Sequence, residues 1–181
     1  MNIKSFKFFS IAIVVFLLTA TTNAKADTNV SGIISVDTTW TLANSPYIVT
    51  GGIIVNSGVT LTIEAGATVK FDSLKSLIIE GTLIAKGTSS NKITFTSNQS
   101  TPSASDWGFI LFNDSSIDAT YDTNENYTGG SILEYAVVEY AGGASVSSNN
   151  GAIRMDNAHP FINYCTIRNN KASGINAWNL S

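Results

Sequence analysis

The chain has 181 residues, with 10 basic and 13 acidic side chains, 44% apolar residues and a single cysteine, Cys165. That is ample for one domain with a continuous core. The acidic balance argues against nucleic acid or an anionic membrane as partner, and one cysteine excludes an intrachain disulfide.

From the start, Lys4 and Lys7 precede an apolar run from Phe8 to Leu18, and Ala24-Lys25-Ala26 has the small-x-small form of a signal-peptidase site. Residues 1–26 therefore read as a secretory signal peptide cleaved after Ala26, which makes the protein secreted, extracellular or cell-surface. The run is short for a membrane span and no later segment is a candidate, so no span is expected after cleavage; an uncleaved anchor is the alternative. No cysteine near the signal could carry a lipid. Cleavage leaves seven basic against thirteen acidic residues, a formal charge of −6.

Residues 27–50 hold short apolar runs, Gly32–Val36, Thr38–Leu42 and Pro46–Thr50, that do not fit the later spacing. They read as an N-terminal cap, with Trp40, Leu42, Tyr47 and Val49 lying over the first regular rung, because terminal repeats of stacked folds are atypical. A strand pair unrelated to capping is the alternative.

Residues 51–181 read as rungs. Ile53, Val55, Val59, Val69 and Phe71 recur as Leu77, Ile79, Leu83, Ile93 and Phe95 at a constant offset of 24 residues. All are odd-numbered and share one face of an extended chain, so the period is two and the units are strands. A unit this small, with glycine corners at Gly58, Gly66, Gly81 and Gly87, must stack to bury its inner face: the fold class is all-β, a parallel β-solenoid. The same offset places Thr94 and Thr96 over Lys70 and Asp72, which argues against a flat threonine array of the ice-binding kind.

After a polar loop, Ser97–Ser105, and the run Trp107–Phe112, an insertion at 113–130 rich in Asp, Asn, Ser and Tyr reads as a surface excursion. A second pair of rungs follows. Leu133, Ala136, Val138 and Glu139 align with Ile162, Cys165, Ile167 and Arg168 at an offset of 29, with Tyr135 over Tyr164. Gly151–Met155 is echoed by Ser173–Ala177 at an offset of 22. The pattern still runs at Ser181, so the expectation is a chain without its C-terminal cap, the N-terminal part of a longer protein or a truncated one.

The phrases Gly58–Glu64, Gly81–Thr88, Ile93–Thr96, Leu133–Tyr140 and Pro160–Asn170 resemble secreted bacterial right-handed parallel β-helix proteins of the pectin-lyase-like superfamily, over roughly Gly51 to Ala177. The resemblance implies three parallel sheets per coil and an Asn recurring at a tight turn, a role that falls on Asn169 or Asn170 and is structural. For function it is unspecific, since the superfamily holds lyases, hydrolases, adhesins and surface proteins without known activity.

Its lyases hold Ca²⁺ through clustered carboxylates and use an Arg or Lys as base. The residues here that could be asked to do this are Glu139, Arg154, Asp156 and Arg168, but Glu139 and Arg168 in register favour an inter-rung ion pair. In the insertion, Asp122-Thr123-Asn124-Glu125-Asn126, with Asp114 and Asp118, offers oxygen donors at alternate positions. Tyr127 stands where an EF-hand needs glycine and Leu133 where it needs glutamate. Asp118, Asp122, Asn124 and Asn126 are thus either a Ca²⁺ site of another kind or, preferably, a network of Asx turns, and no cofactor is required. The aromatics near loops or rung edges, Trp107, Tyr121, Tyr127, Tyr140 and Trp178, are the candidates for stacking on sugars, against the competing role of filling the core. His159 reads as a turn residue and Cys165 as a buried thiol.

The reading that follows is a secreted or cell-surface β-helix module with a structural, adhesive or carbohydrate-binding role, no evident catalytic site, and a polysaccharide or cell-surface glycan as partner. The alternative is the N-terminal part of a polysaccharide lyase or glycoside hydrolase whose active rungs lie beyond Ser181. A complete lyase using Glu139, Arg154, Asp156 and Arg168 ranks last.

Overall fold

The computed structural model describes residues 26–143 and 150–180; apart from Ala26, the signal segment lies outside the described residues. The chain winds through β1 (Thr28–Ile34), β2 (Thr38–Trp40), β3 (Tyr47–Val55), β4 (Thr60–Ile63), β5 (Thr68–Phe71), β6 (Leu77–Ile79), β7 (Thr82–Lys86), β8 (Ile93–Ser97) and β9 (Ile110–Phe112). A short hairpin, β10 (Thr120–Tyr121) and β11 (Tyr127–Gly129), interrupts it. It resumes with β12 (Ile132–Glu134), β13 (Ala136–Glu139), β14 (Gly151–Asp156), β15 (Phe161–Asn163), β16 (Thr166–Arg168) and β17 (Ser173–Trp178). No α-helix occurs among the described residues, so none is long and apolar enough to cross a membrane.

Outside the hairpin all pairing is parallel and falls into three ladders. The first is β2-β4-β7-β12-β15. The second runs from the front half of β3 through β5, β8 and β13 to β16, and the third from the back half of β3 through β6, β9 and β14 to β17. Each coil contributes one strand to each ladder, which is a parallel β-helix.

Alternating side chains explain the winding. Ile53, Leu77, Ile110 and Ile153 form one inward rank and Val69, Phe95 and Val138 another, each at most 1% exposed, while Lys70, Thr96 and Glu139 face out. Burying one such aliphatic side chain contributes about 1.5–3 kcal/mol, against about 0–1 kcal/mol for a surface ion pair. The inward ranks therefore hold the solenoid. Corners are tight enough to demand particular residues: a Cβ on Gly81 would lie 2.2 Å from the Asn56 carbonyl oxygen. Tyr135 and Tyr164 turn the chain from the first ladder to the second in a single residue, at φ 46 and 50, and their rings stack at 4.7 Å.

Register departs from the sequence reading in three places. The offset is 24 only in the third ladder, where Ile53 faces Leu77. It is 22 in the first, with Leu61 opposite Leu83, and 26 in the second, with Val69 opposite Phe95 rather than Ile93. Thr94 thus lies over Thr68 and Thr96 over Lys70; Lys70 still breaks any flat threonine array. The strands before Thr50 join the regular register, with Thr38 opposite Leu61 and Tyr47 opposite Val69, and β1 pairs in parallel with β3 alone. Trp40 and Tyr47 are buried and stacked at 5.0 Å, whereas Leu42 is exposed. The offsets of 29 and 22 in the last two coils hold throughout: Leu133 faces Ile162, Glu139 faces Arg168 and Ile153 faces Ile175.

Candidate functional site

The insertion is built from the residues that make turns. Asp122 Oδ1 accepts the N–H groups of Asn124 at 2.8 Å and Asn126 at 2.9 Å, and Asn126 Nδ2 donates to Asp122 Oδ2 at 3.0 Å. This closed Asx network is the tip of the β10–β11 hairpin. The hydrogen bonds, that to the Asn126 side chain foremost, hold the Asp122 carboxyl below the usual aspartate range. The Tyr127 hydroxyl donates to the Gly130 carbonyl at 2.7 Å, and Gly130 sits at φ 84 with Asp118 backbone against its α-carbon, so only glycine fits there.

The base of the insertion is tied to the corner before β15. His159 N–H donates to Asp118 Oδ1 at 2.7 Å and the imidazole Nδ1 lies 3.2 Å from Oδ2, while Asn157 Nδ2 donates to Asp114. Asp118 and Asp122 thus serve two different structural tasks. Among the described residues no group of three or more His, Cys, Asp or Glu side chains could hold a metal ion.

The hairpin lies over the outward face of the first ladder. There Ile84, Ile132 and Phe161 stack in one rank, and Lys86, Glu134 and Asn163 in the next. Ile132 is 1% exposed although it belongs to no inward rank, because the hairpin covers it. Tyr127 stacks on Phe161 at 5.6 Å and Tyr121 meets it edge-on at 5.9 Å. Burial, and secondarily Tyr121, push the Tyr127 phenol upward, which keeps it a hydrogen-bond donor.

The cover is incomplete. A cleft of about 300 Å³ opens between Lys86, Asn126, Tyr127, Ile132, Glu134 and Phe161, and a second of about 460 Å³ lies between Tyr121, Glu125 and Phe161. Glu125 and Phe161 line both, so the two clefts adjoin and together make up a groove along the hairpin, each being of the size of small-ligand sites, about 300–1,000 Å³. Tyr121 leaves half its surface free beside it. On the floor, Lys86 Nζ is 3.8 Å from Glu134 Oε2, Asn163 Nδ2 is 3.3 Å from Oε1, and the ammonium lies 6.0 Å above the Tyr127 ring.

The other candidates are dispersed. Trp107 is fully buried, stacked on Phe71 at 4.0 Å with its indole N–H donating to Glu139 O; it is a core residue and cannot serve as a sugar platform. Tyr140, at φ 65, packs half-buried against the core, and Trp178 is half-buried in β17. Arg168 Nε pairs with Glu139 Oε2 at 2.9 Å on the second ladder, and Thr96 donates to Oε1. Arg154 and Asp156 lie on the third ladder. The Arg154 guanidinium sits 3.7 Å over the Phe109 ring with Nε donating to Gly151 O, and burial lowers its basicity. Asp156 accepts from Asn179. The four are two separate structural arrangements, one on each ladder. Asn169 takes left-handed backbone at φ 55, and Asn170 accepts from Ala141 N–H at 2.7 Å and donates to Val138 O at 3.0 Å, bracing one coil on the next. The Cys165 thiol, half-buried, donates to backbone carbonyls, and burial raises its pKa.

Lys86, Ile132, Glu134 and Phe161 carry no motif, and Glu125 lies inside the Asp122–Asn126 run without being one of its proposed ligands. The signal that could have exposed them is the rank Ile84, Ile132, Phe161: three apolar residues on a face that alternation assigns to water.

A search of the curated proteins gave no significant match, and neither did a search of the solved structures. The family model described as "Pectate-lyase like beta helix domain" matches residues 32–176, most of the chain and all of its ladders from the back half of β1 to the middle of β17. With five successive coils of three parallel strands behind that match, the chain belongs to the pectate-lyase-like β-helix domain family.

Proposed function

We propose that this protein is an exported β-helix module that binds carbohydrate, at the secreted or cell-surface level, through the groove between the β10–β11 hairpin and the outer face of the first ladder. The observation that carries the reading is the half-exposed Tyr121 ring lining one cleft beside Phe161, next to a second cleft lined by Tyr127, Lys86, Glu134 and Asn126. Sugar rings present C–H faces that stack on aromatic rings and hydroxyls that hydrogen-bond to amides, carboxylates and ammonium groups; this lining offers both. The β-helix is the rigid support, and the hairpin's Asx network fixes the tyrosines above it. The reading is one of binding rather than catalysis, since Glu139 is engaged by Arg168, away from the groove.

Glycan-array binding of wild type and Tyr121→Ala tests this. An aromatic contact is worth about 0.5–1.5 kcal/mol beyond its area, so Tyr121→Ala is expected to weaken binding about threefold to tenfold with an unchanged melting curve. Failure of wild type to bind any glycan, or binding indifferent to Tyr121, would overturn the reading. Export is tested separately by the mass of the exported product, which begins at Asp27 if the signal is cleaved after Ala26.

A further inference from the structure

The family description leads one to expect an acidic polysaccharide, yet the charges lining the groove point the other way. Its walls carry one lysine, Lys86, against two glutamates, Glu125 and Glu134. The lysine is already matched, its Nζ lying 3.8 Å from Glu134 Oε2. Glu134 is further satisfied by Asn163 and has a side chain only 14% exposed. What remains is Glu125, which lines both halves of the groove and whose carboxylate makes no hydrogen bond or ion pair with any described residue. A uronate polymer entering here would bring its own carboxylates beside the exposed, unmatched carboxylate of Glu125, and like charges repel.

The backbone adds a second observation. Glu125 sits at φ 64, left-handed backbone where Asn or Gly is far less strained. The turn itself needs only the Asp122 network and the Glu125 N–H donated to the Asp122 carbonyl, so nothing in the hairpin calls for an acidic side chain there. Glu125 is exposed at the junction of two clefts with a charge no described neighbour uses, so its carboxylate is available to a ligand.

We propose that the groove takes a glycan bearing free, protonated amino groups, such as β-1,4-linked glucosamine units, with Glu125 as the counter-ion of an ammonium and Tyr121 and Phe161 as the platform for the adjoining ring face. This deepens the carbohydrate-binding reading and rests on it. The Lys86–Glu134 pair then supplies hydrogen bonds to sugar hydroxyls without adding net charge. Binding at such a site weakens as salt rises, because part of it is an exposed ion pair.

The test is a calorimetric titration of the exported protein with four probes at mildly acidic pH and low salt: a glucosamine hexamer, its N-acetylated counterpart, an oligogalacturonate hexamer and hexalysine. Wild type, Glu125→Gln, Glu125→Asn and Tyr121→Ala are compared; Asn tolerates left-handed backbone better than Glu, so loss of the hairpin is not at issue in that variant. An exposed ion pair predicts binding of the glucosamine hexamer that falls about twofold to fivefold on acetylation and by a similar factor in both Glu125 variants. It also predicts no detectable oligogalacturonate binding. Equal affinity for the acetylated hexamer, or for the amine hexamer in the Glu125 variants, overturns the amine preference while leaving carbohydrate binding intact. Binding of oligogalacturonate overturns it likewise. Hexalysine binding as tightly as the glucosamine hexamer shows a charge effect without glycan recognition. No binding of any hexamer, or indifference to Tyr121→Ala, removes the underlying carbohydrate reading.

Discussion

The inward face of the second ladder and the outward face of the first are written in the same alternating code, yet they bury their apolar residues against different things. Val69 and Phe95 are sealed by the coils above and below and by the facing ladders, so their environment is set by the solenoid itself. Ile132 is as deeply buried, but by a hairpin grown from a corner, and Phe161 only partly. Alternation reports which residues share a face; it does not report which face stays wet. A solenoid can add a satellite core and a groove to its outside without disturbing the inside.

The sharpest way to break that comparison is to place a charge on each side of it. Val69→Asp buries an unpaired carboxylate among stacked coils and is expected to cost more than about 4 kcal/mol, abolishing the cooperative thermal transition followed by circular dichroism. The outward neighbour Thr94→Ala should stay within about 0.5 kcal/mol of wild type. Equal losses from the two would reverse the assignment of inside and outside.

Phe161→Ala strikes the satellite core instead. It removes the ring that Tyr121 and Tyr127 pack against, and since Phe161 is only partly buried the expected loss is about 2 kcal/mol, below that of a fully buried aromatic. Proteolysis within 113–130 should then accelerate while the strand signal persists; a loss of global folding would show that the hairpin is part of the main core. Tyr127→Phe takes away only the hydroxyl bonded to Gly130 O and should cost about 1 kcal/mol, read as faster amide exchange in the hairpin and unchanged exchange in β5 and β8.

The smallest expected effect is a titration. The folded Asp122 carboxyl lies below its ordinary value of 3.8, so its contribution to the hairpin tip is present above that pH and is lost as pH falls below it, through the folded pKa. The amide proton shifts of Asn124 and Asn126 should move in that window and stop moving in Asp122→Asn. Shifts that stay flat through it in wild type would remove the Asx network as the organiser of the tip.

The parallel ladders and their inward residues were legible in the sequence because burying a coil's inner face forces strict alternation. The partner of each strand was less so, for a reason visible in the corners. From Val55 to Thr60 is five residues but from Ile79 to Thr82 three, and from Ile63 to Thr68 five but from Ala85 to Thr94 nine. These changes of two and four preserve parity, so every inward residue stays inward while its partner slips to 22 or 26. The aromatics divide on the same principle. Trp107 looks like a loop tryptophan, yet it tucks under the second ladder, where its N–H finds Glu139 O. Tyr121 and Tyr127 signal themselves by the turn residues between them. Phe161 signals itself only through the outward rank it shares with Ile84 and Ile132, and it takes the three-dimensional cover of the hairpin to turn it from a stray exposed ring into a groove floor.

The central claim, that the groove under the hairpin is the ligand site, is tested most directly by following backbone and aromatic NMR shifts of the protein during titration with the glucosamine hexamer. The account predicts saturable shifts confined to Lys86, Tyr121, Glu125 to Tyr127, Glu134 and Phe161. Shifts centred instead on the third ladder around Arg154 and Asp156, with the hairpin unmoved, would contradict it.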